Sequence, residues 1–323
     1  MAFTIVELIK VHVKGEIMKK VVVVGSINMD LVSVCKKAPK GGETLFGSEF
    51  FQAPGGKGAN QAVAIGKLGT DVVMLGKVGK DSFGKEMLKE LAHSGVEIDY
   101  IGKEEGATGI ANIVLEESGQ NRIIVIPGAN GLVDKKYIDE NIEVIRDCDV
   151  VVAQLEVPIQ TVEYVFTKAK ELGKKTILNP APAAKLSHEL IKNSDYIVPN
   201  ESELGVLTGI DTETDEGIEK AGKKLIEMGV GNLIVTLGSK GSLYMSRDKK
   251  EYYPAYVVKA VDTTAAGDSF IGGFVRELDL EKNSVGEAIE FATKVSAIAV
   301  TRRGAQPSIP TLEEVLNFKG VKR

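Results

Sequence analysis

A run of four valines closed by a glycine, Val21 to Gly25, constrains the fold of this chain more than any other feature. A continuous apolar run of this kind is typical of a strand that is buried on both faces of a parallel sheet. From position 150 onward, similar short runs alternate with segments of helical composition. Repeated strand–helix units predict a parallel sheet covered by helices on both faces. We therefore expect an α/β fold, a three-layer α-β-α sandwich around a mostly parallel sheet.

The predicted elements extend through the chain. Strands are predicted at 21–24, 72–75, 150–155, 176–178, 196–198, 233–236, 242–245 and 251–258. Helices are predicted at 59–68, 82–93, 159–172, 184–192, 202–207, 214–228, 269–278, 285–300 and 312–318. No linker-like or low-complexity segment divides this series, so residues 18–323 are expected to form one domain.

Two stretches depart from the alternation of strands and helices. Residues 31–52 and 109–126 contain short alternating pieces, such as Glu43 to Phe46, among glycines and prolines. Such pieces are typical of β-ribbon. We expect the two stretches to project from the main sheet rather than to belong to it.

The first 17 residues show no strand or helix pattern that continues into the rest of the chain. A clear pattern begins at Met18, where a polar start leads into the apolar strand at 21–24. We expect residues 1–17 to be an N-terminal extension that is dispensable for function. The alternative is a real edge strand from Thr4 to Val13.

Charge and cysteine content exclude several classes of protein. The chain has 40 basic and 45 acidic residues and a formal net charge of −5, which argues against nucleic-acid and anionic-membrane partners. Cys35 and Cys148 are far apart and the histidines are scattered. This spacing disfavours a disulfide framework, a zinc site and a Cys–His catalytic pair, and it fits a reducing cytoplasm. No apolar run approaches the ~18 residues of a membrane span.

A glycine-rich turn, Pro54 to Asn60, opens the first predicted helix. It is not a Walker A loop, because Lys57 is followed by Gly58. It is not a dinucleotide fingerprint either, because Gln61 stands where the third glycine belongs, so an NAD-dependent oxidoreductase is disfavoured. The glycines leave backbone groups accessible beside the side chains of Lys57 and Asn60. This combination suits hydrogen bonding to a compact polyhydroxylated ligand. A plain helix cap is the alternative.

The stretch Val261 to Asp268 joins a predicted strand to a predicted helix. Small residues at 265–267 allow close approach of a ligand, and the start of a helix directs unpaired N–H groups and a positive dipole end toward it. An anion is therefore expected there. Asp268 would repel that anion unless it had a chemical task. Alternatively, Asp268 only complements the helix dipole.

Polar groups also follow several predicted strands, and in open α/β sheets ligands bind at the carboxyl ends of the strands. Asn28 and Asp30 follow the first strand, and Glu156 follows a later one. Asn200 and Glu203 could orient a hydrated Mg²⁺. The turn from Thr236 to Gly241 could carry a nucleotide phosphate tail or be a simple hairpin.

Taken together, these motifs resemble the ribokinase-like (PfkB) carbohydrate kinase family, in order from about Met18 to Phe318. The motifs that carry the resemblance are Gly25-Ser26-Ile27-Asn28-Met29-Asp30, Gly55-Gly56-Lys57-Gly58-Ala59-Asn60-Gln61, Asn179-Pro180-Ala181-Pro182-Ala183, Pro199-Asn200-Glu201 and Asp262-Thr263-Thr264-Ala265-Ala266-Gly267-Asp268. The lysine loop with its Asn-Met-Asp start is similar to the ribokinase branch in particular. The resemblance implies ATP-dependent phosphorylation of D-ribose at its 5-hydroxyl.

The resemblance also implies a role for each matching residue. Asp268 would be the general base, and Ala265, Ala266 and Gly267 would donate backbone N–H groups to the transferring phosphoryl group. Ribose would be held by Asn28, Asp30, Gly56, Lys57, Asn60 and Glu156. ATP would contact Asn200, Thr236, Gly238, Ser239, Gly241 and Gly267, with Asn200 and Glu203 on the Mg²⁺ side through water. A monovalent cation, K⁺, would bind at Asp262, Thr264, Ala299, Arg302, Gly304 and Ser308, mostly through backbone carbonyls.

The same resemblance implies that the β-ribbon of about residues 31–52 and 109–126 is a lid over the sugar that also pairs two subunits into a homodimer. Three alternatives stay open. They are a kinase of the same family that accepts 2-deoxyribose, fructose or a nucleoside, a non-catalytic sugar or nucleotide sensor on the same fold, and a lid packed only on its own sheet.

Overall fold

The computed structural model describes residues 19–281 and 284–323, so the predicted extension at residues 1–17 lies outside the described residues. The strands of the described part are β1 (Lys20–Val24), β2 (Asn28–Cys35), β3 (Glu49–Gly55), β4 (Asp71–Leu75), β5 (Lys77–Gly79), β6 (Val96–Glu97), β7 (Gly102–Glu104), β8 (Gly109–Glu116), β9 (Asn121–Ile126), β10 (Val150–Ala153), β11 (Lys175–Leu178), β12 (Tyr196–Ile197), β13 (Asn232–Thr236), β14 (Ser242–Ser246) and β15 (Lys250–Tyr253).

The helices lie mostly between these strands. They are α1 (Lys57–Lys67), α2 (Ser82–His93), α3 (Lys135–Glu140), α4 (Ile142–Arg146), α5 (Ile159–Glu171), α6 (His188–Lys192), α7 (Glu201–Thr208), α8 (Asp215–Glu227), α9 (Ala266–Glu277), α10 (Val285–Ala299) and α11 (Leu312–Asn317). Short 3₁₀ turns lie at Gly128–Leu132, Gly238–Lys240 and Gln306–Ser308. None of the described helices combines the length and the apolar composition needed to cross a membrane.

The main sheet has the strand order β15-β14-β13-β12-β11-β10-β1-β4-β6 among the described residues. Its pairs are parallel from β13 through to β6, and β14 and β15 add an antiparallel edge. The interior strand β1 lies between β10 and β4, and its four valines are fully buried. Val21 and Val23 belong to the core on one face, and Val22 and Val24 to the core on the other. The predicted fold class is thereby confirmed.

A second, smaller sheet grows from the carboxyl end of β1. Its order is β3-β2-β8-β9, with β2 antiparallel to β3 and parallel to β8. Since β2 begins at Asn28, only three residues separate it from the end of β1. The small sheet therefore stands at the edge where polar residues follow the main strands.

Helix α9 packs closely against α1 and α10 through two adjacent glycines. A Cβ on Gly272 would come within 2.3 Å of the Cβ of Ala64 in α1. A Cβ on Gly273 would come within 2.9 Å of the Cα of Ala292 in α10. Any side chain at these two positions would push the helices apart, so the glycines bring the first turn of α9 beside the first turns of α1.

Several predicted boundaries are wrong, for local reasons. Residues 43–46 form no strand, and the side chain of Phe46 is fully exposed. The strand predicted at 251–258 ends at Tyr253, because Pro254 has no N–H to continue the ladder. The helix predicted at 184–192 begins at His188, because the hydroxyl of Ser187 accepts a hydrogen bond from the N–H of Leu190 and caps the helix.

Candidate active site

Asp268 lies in the first turn of α9 and is buried, although it is a carboxylate. Its Oδ2 accepts a hydrogen bond of 3.1 Å from Asn60 Nδ2, and its Oδ1 accepts one of 2.9 Å from Gln61 Nε2. Both donors belong to α1, which the glycine contact holds against α9. Each carboxylate oxygen is thus held by a separate amide.

The surroundings of Asp268 favour its protonated form. Burial raises the pKa of Asp268 above its usual value, while Lys57 and the two amide hydrogen bonds oppose this rise. The nearby carboxylate of Glu156 raises the pKa further. A carboxylate with a raised pKa is a stronger proton acceptor than one in water.

The N-terminus of α9 presents free donors beside Asp268. Within the described part of the chain, the N–H groups of Ala265, Gly267 and Asp268 donate to no protein acceptor. Ala266 differs from the prediction, because its N–H already donates to the carbonyl of Thr263 at 3.1 Å. A helix N-terminus with unpaired N–H groups suits an anion.

Gly267 gives independent support for a ligand at this place. Its φ is not in the left-handed region, and a Cβ built on it would meet no atom within 4 Å. Neither backbone conformation nor packing within the protein therefore requires a glycine at 267. Gly267 lines the cleft described below, and a side chain there would extend into open space.

The turn before α1 is held by Glu156. Glu156 Oε2 accepts hydrogen bonds from the hydroxyl of Ser26 at 2.5 Å and from the N–H of Lys57 at 3.0 Å. The Ser26 hydroxyl accepts a further one from the N–H of Gly58 at 3.3 Å. A Cβ on Gly58 would lie 2.6 Å from the nitrogen of Ser26, so this close approach requires glycine.

The Lys57 ammonium is surrounded by carboxylates. Burial alone would lower the pKa of Lys57, but Asp268, Glu156, Glu203 and Asp30 together raise it above the usual value. No acceptor in the described residues forms a hydrogen bond or ion pair with Lys57 Nζ. The ammonium therefore stays charged, with its donors available to a ligand.

The side-chain amides of Asn60 and Asn28 differ in whether their oxygen has a hydrogen-bond partner. Asn60 Oδ1 is buried and has no hydrogen-bond partner in the described structure. Asn28 Oδ1 accepts a hydrogen bond of 2.7 Å from Asn130 Nδ2, and Asn130 Oδ1 accepts one of 2.9 Å from the N–H of Ile27. Asn130 was not predicted as a site residue, and its only signal in the sequence is its place after the Pro127-Gly128 turn that follows a strand.

Asp30 lies in β2 and is the other buried carboxylate near Lys57. Burial, together with the charges of Glu156 and Asp268, raises the pKa of Asp30 to about 7, and Lys57 opposes this rise. Across the ladder, a Cβ on Gly55 would lie 2.4 Å from the Asp30 carboxyl group. Gly55 therefore makes room for the carboxylate.

A cleft of about 660 Å³ opens beside Asp268 and Lys57, which both line it. It is also lined by Asn200, Glu203, Thr236, Gly238, Ser239, Gly241, Thr264, Ala266 and Gly267. This set includes all six residues predicted to contact ATP. Lys57 and Asp268 contact Glu156 and Asn60 as well. They therefore connect the predicted nucleotide residues to the predicted sugar residues.

Asn200 and Glu203 form a capping box at the start of α7. Asn200 Oδ1 accepts from the N–H of Glu203, and Glu203 Oε2 accepts from the N–H of Asn200, both at 2.8 Å. Burial raises the pKa of Glu203 above its usual value. No group of three or more His, Cys, Asp or Glu side chains among the described residues could hold a metal ion. Contact of these two side chains with Mg²⁺ through water stays a prediction.

Two of the predicted cation residues, Thr264 and Gly304, contact Asp262. Asp262 Oδ1 accepts hydrogen bonds from the N–H of Thr264 at 2.9 Å and from its hydroxyl at 2.5 Å. Asp262 Oδ2 accepts from the N–H of Gly304 at 2.9 Å. Burial would raise the pKa of Asp262, but these hydrogen bonds hold it below the usual value. The carboxylate thus ties the loop before α9 to the loop after α10.

The other predicted cation residues are partly engaged. The guanidinium of Arg302 pairs with Glu314 at 2.6 Å, so its side chain belongs to a surface ion pair. The carbonyl of Ala299 accepts from the N–H of Arg302 at 3.1 Å. The hydroxyl of Ser308 donates to the carbonyl of Ala305 at 2.7 Å. Binding of a cation by backbone carbonyls at these positions stays a prediction.

Comparison with known proteins agrees with this geometry. The family model described as pfkB family carbohydrate kinase matches residues 18–312. A ribokinase of Schizosaccharomyces pombe is 44% identical over 309 residues, covering 92% of this chain and 97% of that protein. A deoxyribokinase of Salmonella typhi is 39% identical over 296 residues, covering 91% and 96%. A structure of Arabidopsis thaliana ribokinase complexed with ribose and ATP has a TM-score of 0.83 and 34% identity, covering 93% of this chain and 99% of that one.

The raised pKa of Asp30 predicts a specific dependence of stability on pH. The folded state binds a proton at Asp30 more tightly than the unfolded chain, whose pKa lies near 3.8. Protonated Asp30 therefore adds to the free energy of unfolding at low pH. This contribution is lost as pH rises from about 4 to about 7. We expect Asp30→Asn to lose less unfolding free energy than the wild type between pH 5.5 and 8, measured by urea denaturation. Parallel pH dependences in the two proteins would contradict the raised pKa.

Proposed function

The chain belongs to the pfkB family of carbohydrate kinases, and on that basis we propose that it transfers the γ-phosphoryl group of ATP to the 5-hydroxyl of D-ribose. The products are ribose 5-phosphate and ADP. The observation that carries the proposal is the buried carboxylate of Asp268, held by two amides beside free helix N–H groups and the Lys57 ammonium. The ribokinases of Schizosaccharomyces pombe and Arabidopsis thaliana support ribose as the acceptor.

Sugar binding is assigned to the groups around the turn before α1. The carboxylate of Asp30 accepts hydrogen bonds from sugar hydroxyls, and the Lys57 ammonium donates to them. Asn60 Oδ1, which has no protein partner in the described residues, accepts another. Glu156 and Gly56 act through the shape of the turn, because Glu156 holds the N–H of Lys57 and Gly56 has a positive φ of 87°. Asn28 contacts the sugar with an orientation set by Asn130.

The transfer itself needs a base and a site for the phosphoryl charge. Asp268 takes the proton of the attacking hydroxyl as its oxygen bonds to the γ-phosphorus and the bond from phosphorus to the ADP oxygen breaks. The N–H groups of Ala265 and Gly267, with the dipole of α9, stabilise the charge on the transferring group. Ala266 stabilises the turn before α9 rather than the phosphoryl charge, because its N–H donates to the carbonyl of Thr263. No covalent intermediate with the protein is required.

ATP binding is assigned to the residues that line the cleft. Asn200 and the turn formed by Thr236, Gly238, Ser239 and Gly241 lie along it. A divalent cation such as Mg²⁺ would be held through water by Asn200 and Glu203 and would neutralise phosphate charge. K⁺ would be held by carbonyls around Asp262 and would add positive charge near the N-terminus of α9. The residues assigned to the K⁺ site are Asp262, Thr264, Ala299, Arg302, Gly304 and Ser308.

2-Deoxyribose is a second candidate acceptor. The deoxyribokinase of Salmonella typhi is 39% identical to this chain, close to the 44% of the ribokinase of Schizosaccharomyces pombe. A single hydroxyl separates the two sugars, so the choice depends on whether a buried polar group is left unpaired by the sugar that lacks it. Asp30 and Asn60 are the groups placed to make that choice.

The small sheet is proposed to act as the lid and to pair two copies of the chain. Along β9, Ile123, Ile124, Val125 and Ile126 are exposed, and Phe50 in β3 is 60% exposed. An apolar patch of this kind is expected to be covered by a partner. Sedimentation of the free protein should therefore give the mass of two chains, and a monomer at micromolar concentration would contradict the pairing.

The two thiols support the predicted reducing cytoplasm. Cys35 and Cys148 are both free and buried, so neither has a disulfide partner.

The direct test of the proposed activity is ADP release measured against a panel of acceptors. We expect ribose to give the highest kcat/KM among ribose, 2-deoxyribose, fructose and adenosine, with ATP and Mg²⁺ present. Replacing K⁺ by a large organic cation should depress the rate. Preference for fructose or adenosine, or no sugar-dependent ADP release, would contradict the proposal.

Replacing Asp268 by Asn tests the assigned base. We expect Asp268→Asn to fold and to bind ribose with an affinity near that of the wild type, while kcat falls roughly 10²–10⁴-fold because the proton acceptor is lost. The exposed substitution Asp248→Asn is the matched control and should leave kcat unchanged. Turnover by Asp268→Asn near that of the wild type would refute the role of Asp268.

A further inference from the structure

We propose that Gln61 and Gln154 are positioning residues that act on the reaction through Asp268. They form a relay of two buried amides that runs from the end of β10 to the carboxylate and presents a hydrogen-bond donor to it. This inference rests on the proposed role of Asp268 as the base. It adds that the orientation and the protonation of that base are set by side chains away from the sugar and the nucleotide.

The relay is continuous in the structure. Gln154 directly follows β10, and its Nε2 donates to Gln61 Oε1 at 2.6 Å. Gln61 Nε2 in turn donates to Asp268 Oδ1 at 2.9 Å and to Asn179 Oδ1 at 3.2 Å. Both glutamine side chains are fully buried, with no exposed surface.

The partners of Gln61 fix which end of its amide faces Asp268. A side-chain amide can turn by 180° and exchange its oxygen for its NH₂ group. Asn179 Nδ2 donates to the carbonyl of Val198 at 3.0 Å, so Asn179 Oδ1 is the atom that faces Gln61 and it requires a donor. Gln154 Nε2 requires an acceptor on the other side. Both requirements select the orientation in which Asp268 receives an N–H group.

The N–H group from Gln61 has an electrostatic effect on the base. Its hydrogen bond lowers the pKa of Asp268 and so opposes the rise that burial causes. It also fixes the direction of Oδ1, while Asn60 fixes that of Oδ2. The carboxylate is therefore held in one direction before the sugar binds, and its pKa rises less than burial alone would raise it.

A purely structural role explains the relay poorly. Gln154 Oε1 is buried and has no hydrogen-bond partner in the described residues, which destabilises the fold. The same oxygen would lie only 2.0 Å from a Cβ on Gly25, so the chain also needs a glycine to make room for this amide. An apolar side chain of the same size at 154 would avoid the unpaired buried polar atom.

The test replaces each glutamine by a residue of similar volume and measures kcat against pH. Gln61→Met removes the donor to Asp268, so we expect the acidic limb of the profile to move to higher pH and kcat at pH 7 to fall roughly 10-fold to 10²-fold. Gln61→Glu places a second carboxyl group against Asp268, so the limb should move further. Gln154→Met only releases the orientation of Gln61 and should give a smaller change in the same direction. The exposed substitution Gln160→Met is the control and should change nothing.

Two further measurements separate positioning from loss of structure. KM for ATP should stay within about threefold of the wild type in each variant, since neither glutamine lines the cleft. Gln61→Met should add no further loss of kcat to Asp268→Asn, because the relay acts only through that carboxylate. An unmoved acidic limb, with kcat falling only in proportion to the folded fraction seen by thermal melting, would overturn the proposal.

A measurement without substrate distinguishes this inference from the proposed function. The carboxyl carbon of Asp268 can be titrated by ¹³C NMR, with its signal assigned from its absence in Asp268→Asn. We expect the pKa of Asp268 to be higher in Gln61→Met and Gln154→Met than in the wild type and in Gln160→Met. If the wild type fails to release ADP with ribose, the activity is wrong while this titration still tests the relay. An identical titration in all four proteins would overturn the relay whatever the activity.

Discussion

The candidate site depends on the close contact between α9 and α1. Gly272 and Ala64 allow the two helices to approach until no further side-chain atom fits between them. This contact places a carboxylate at the start of one helix beside two amides at the start of the other. The same first turn of α9 presents its free N–H groups at the cleft. A base and an anion site are therefore built from one helix terminus, and a neighbouring helix holds them in place.

Burial of several charges is the main energetic cost of this arrangement. Asp30 and Asp268 are both buried, and burial raises the pKa of each carboxyl group. The charge of Glu156 raises both pKa values further, and the charge of Asp268 adds to the rise at Asp30. Lys57 opposes this repulsion, and its own pKa is raised by the carboxylates around it. Unpaired buried charge of this kind destabilises a fold. Ligand hydroxyls and phosphate oxygens are the groups that would complete the missing interactions.

The sequence predicts the fold class and most of the elements because burial leaves a clear periodic pattern. Val21 to Val24 can be read directly as a strand with two buried faces. Element boundaries depend on local capping, as at Ser187, or on a missing N–H, as at Pro254, and these effects are weaker in the pattern. Short strands such as Val96–Glu97 have too few residues to show any period.

Four residues predicted for the site, Lys57, Asn60, Glu156 and Asp268, lie close together, but their protein partners could not be predicted. Asp268, Asn60 and Lys57 stand in turns rich in glycine, which draw attention to them. The sequence places Gln61 at the start of a helix and Gln154 at the end of a strand. It does not predict the hydrogen bond between them, because no sequence pattern connects positions 93 residues apart. The engagement of the Ala266 N–H with Thr263 likewise depends on the geometry of the turn.

A crystal structure with ribose, Mg²⁺ and a non-hydrolysable ATP analogue would show what Asp268 and the N-terminus of α9 contact. We expect the 5-hydroxyl oxygen of the sugar to lie within hydrogen-bond reach of the Asp268 carboxylate, about 2.6–3.2 Å, and the γ-phosphate to lie on the N–H groups of Ala265 and Gly267. A sugar whose 5-hydroxyl lies away from Asp268, or a phosphate tail that avoids the N-terminus of α9, would contradict this expectation.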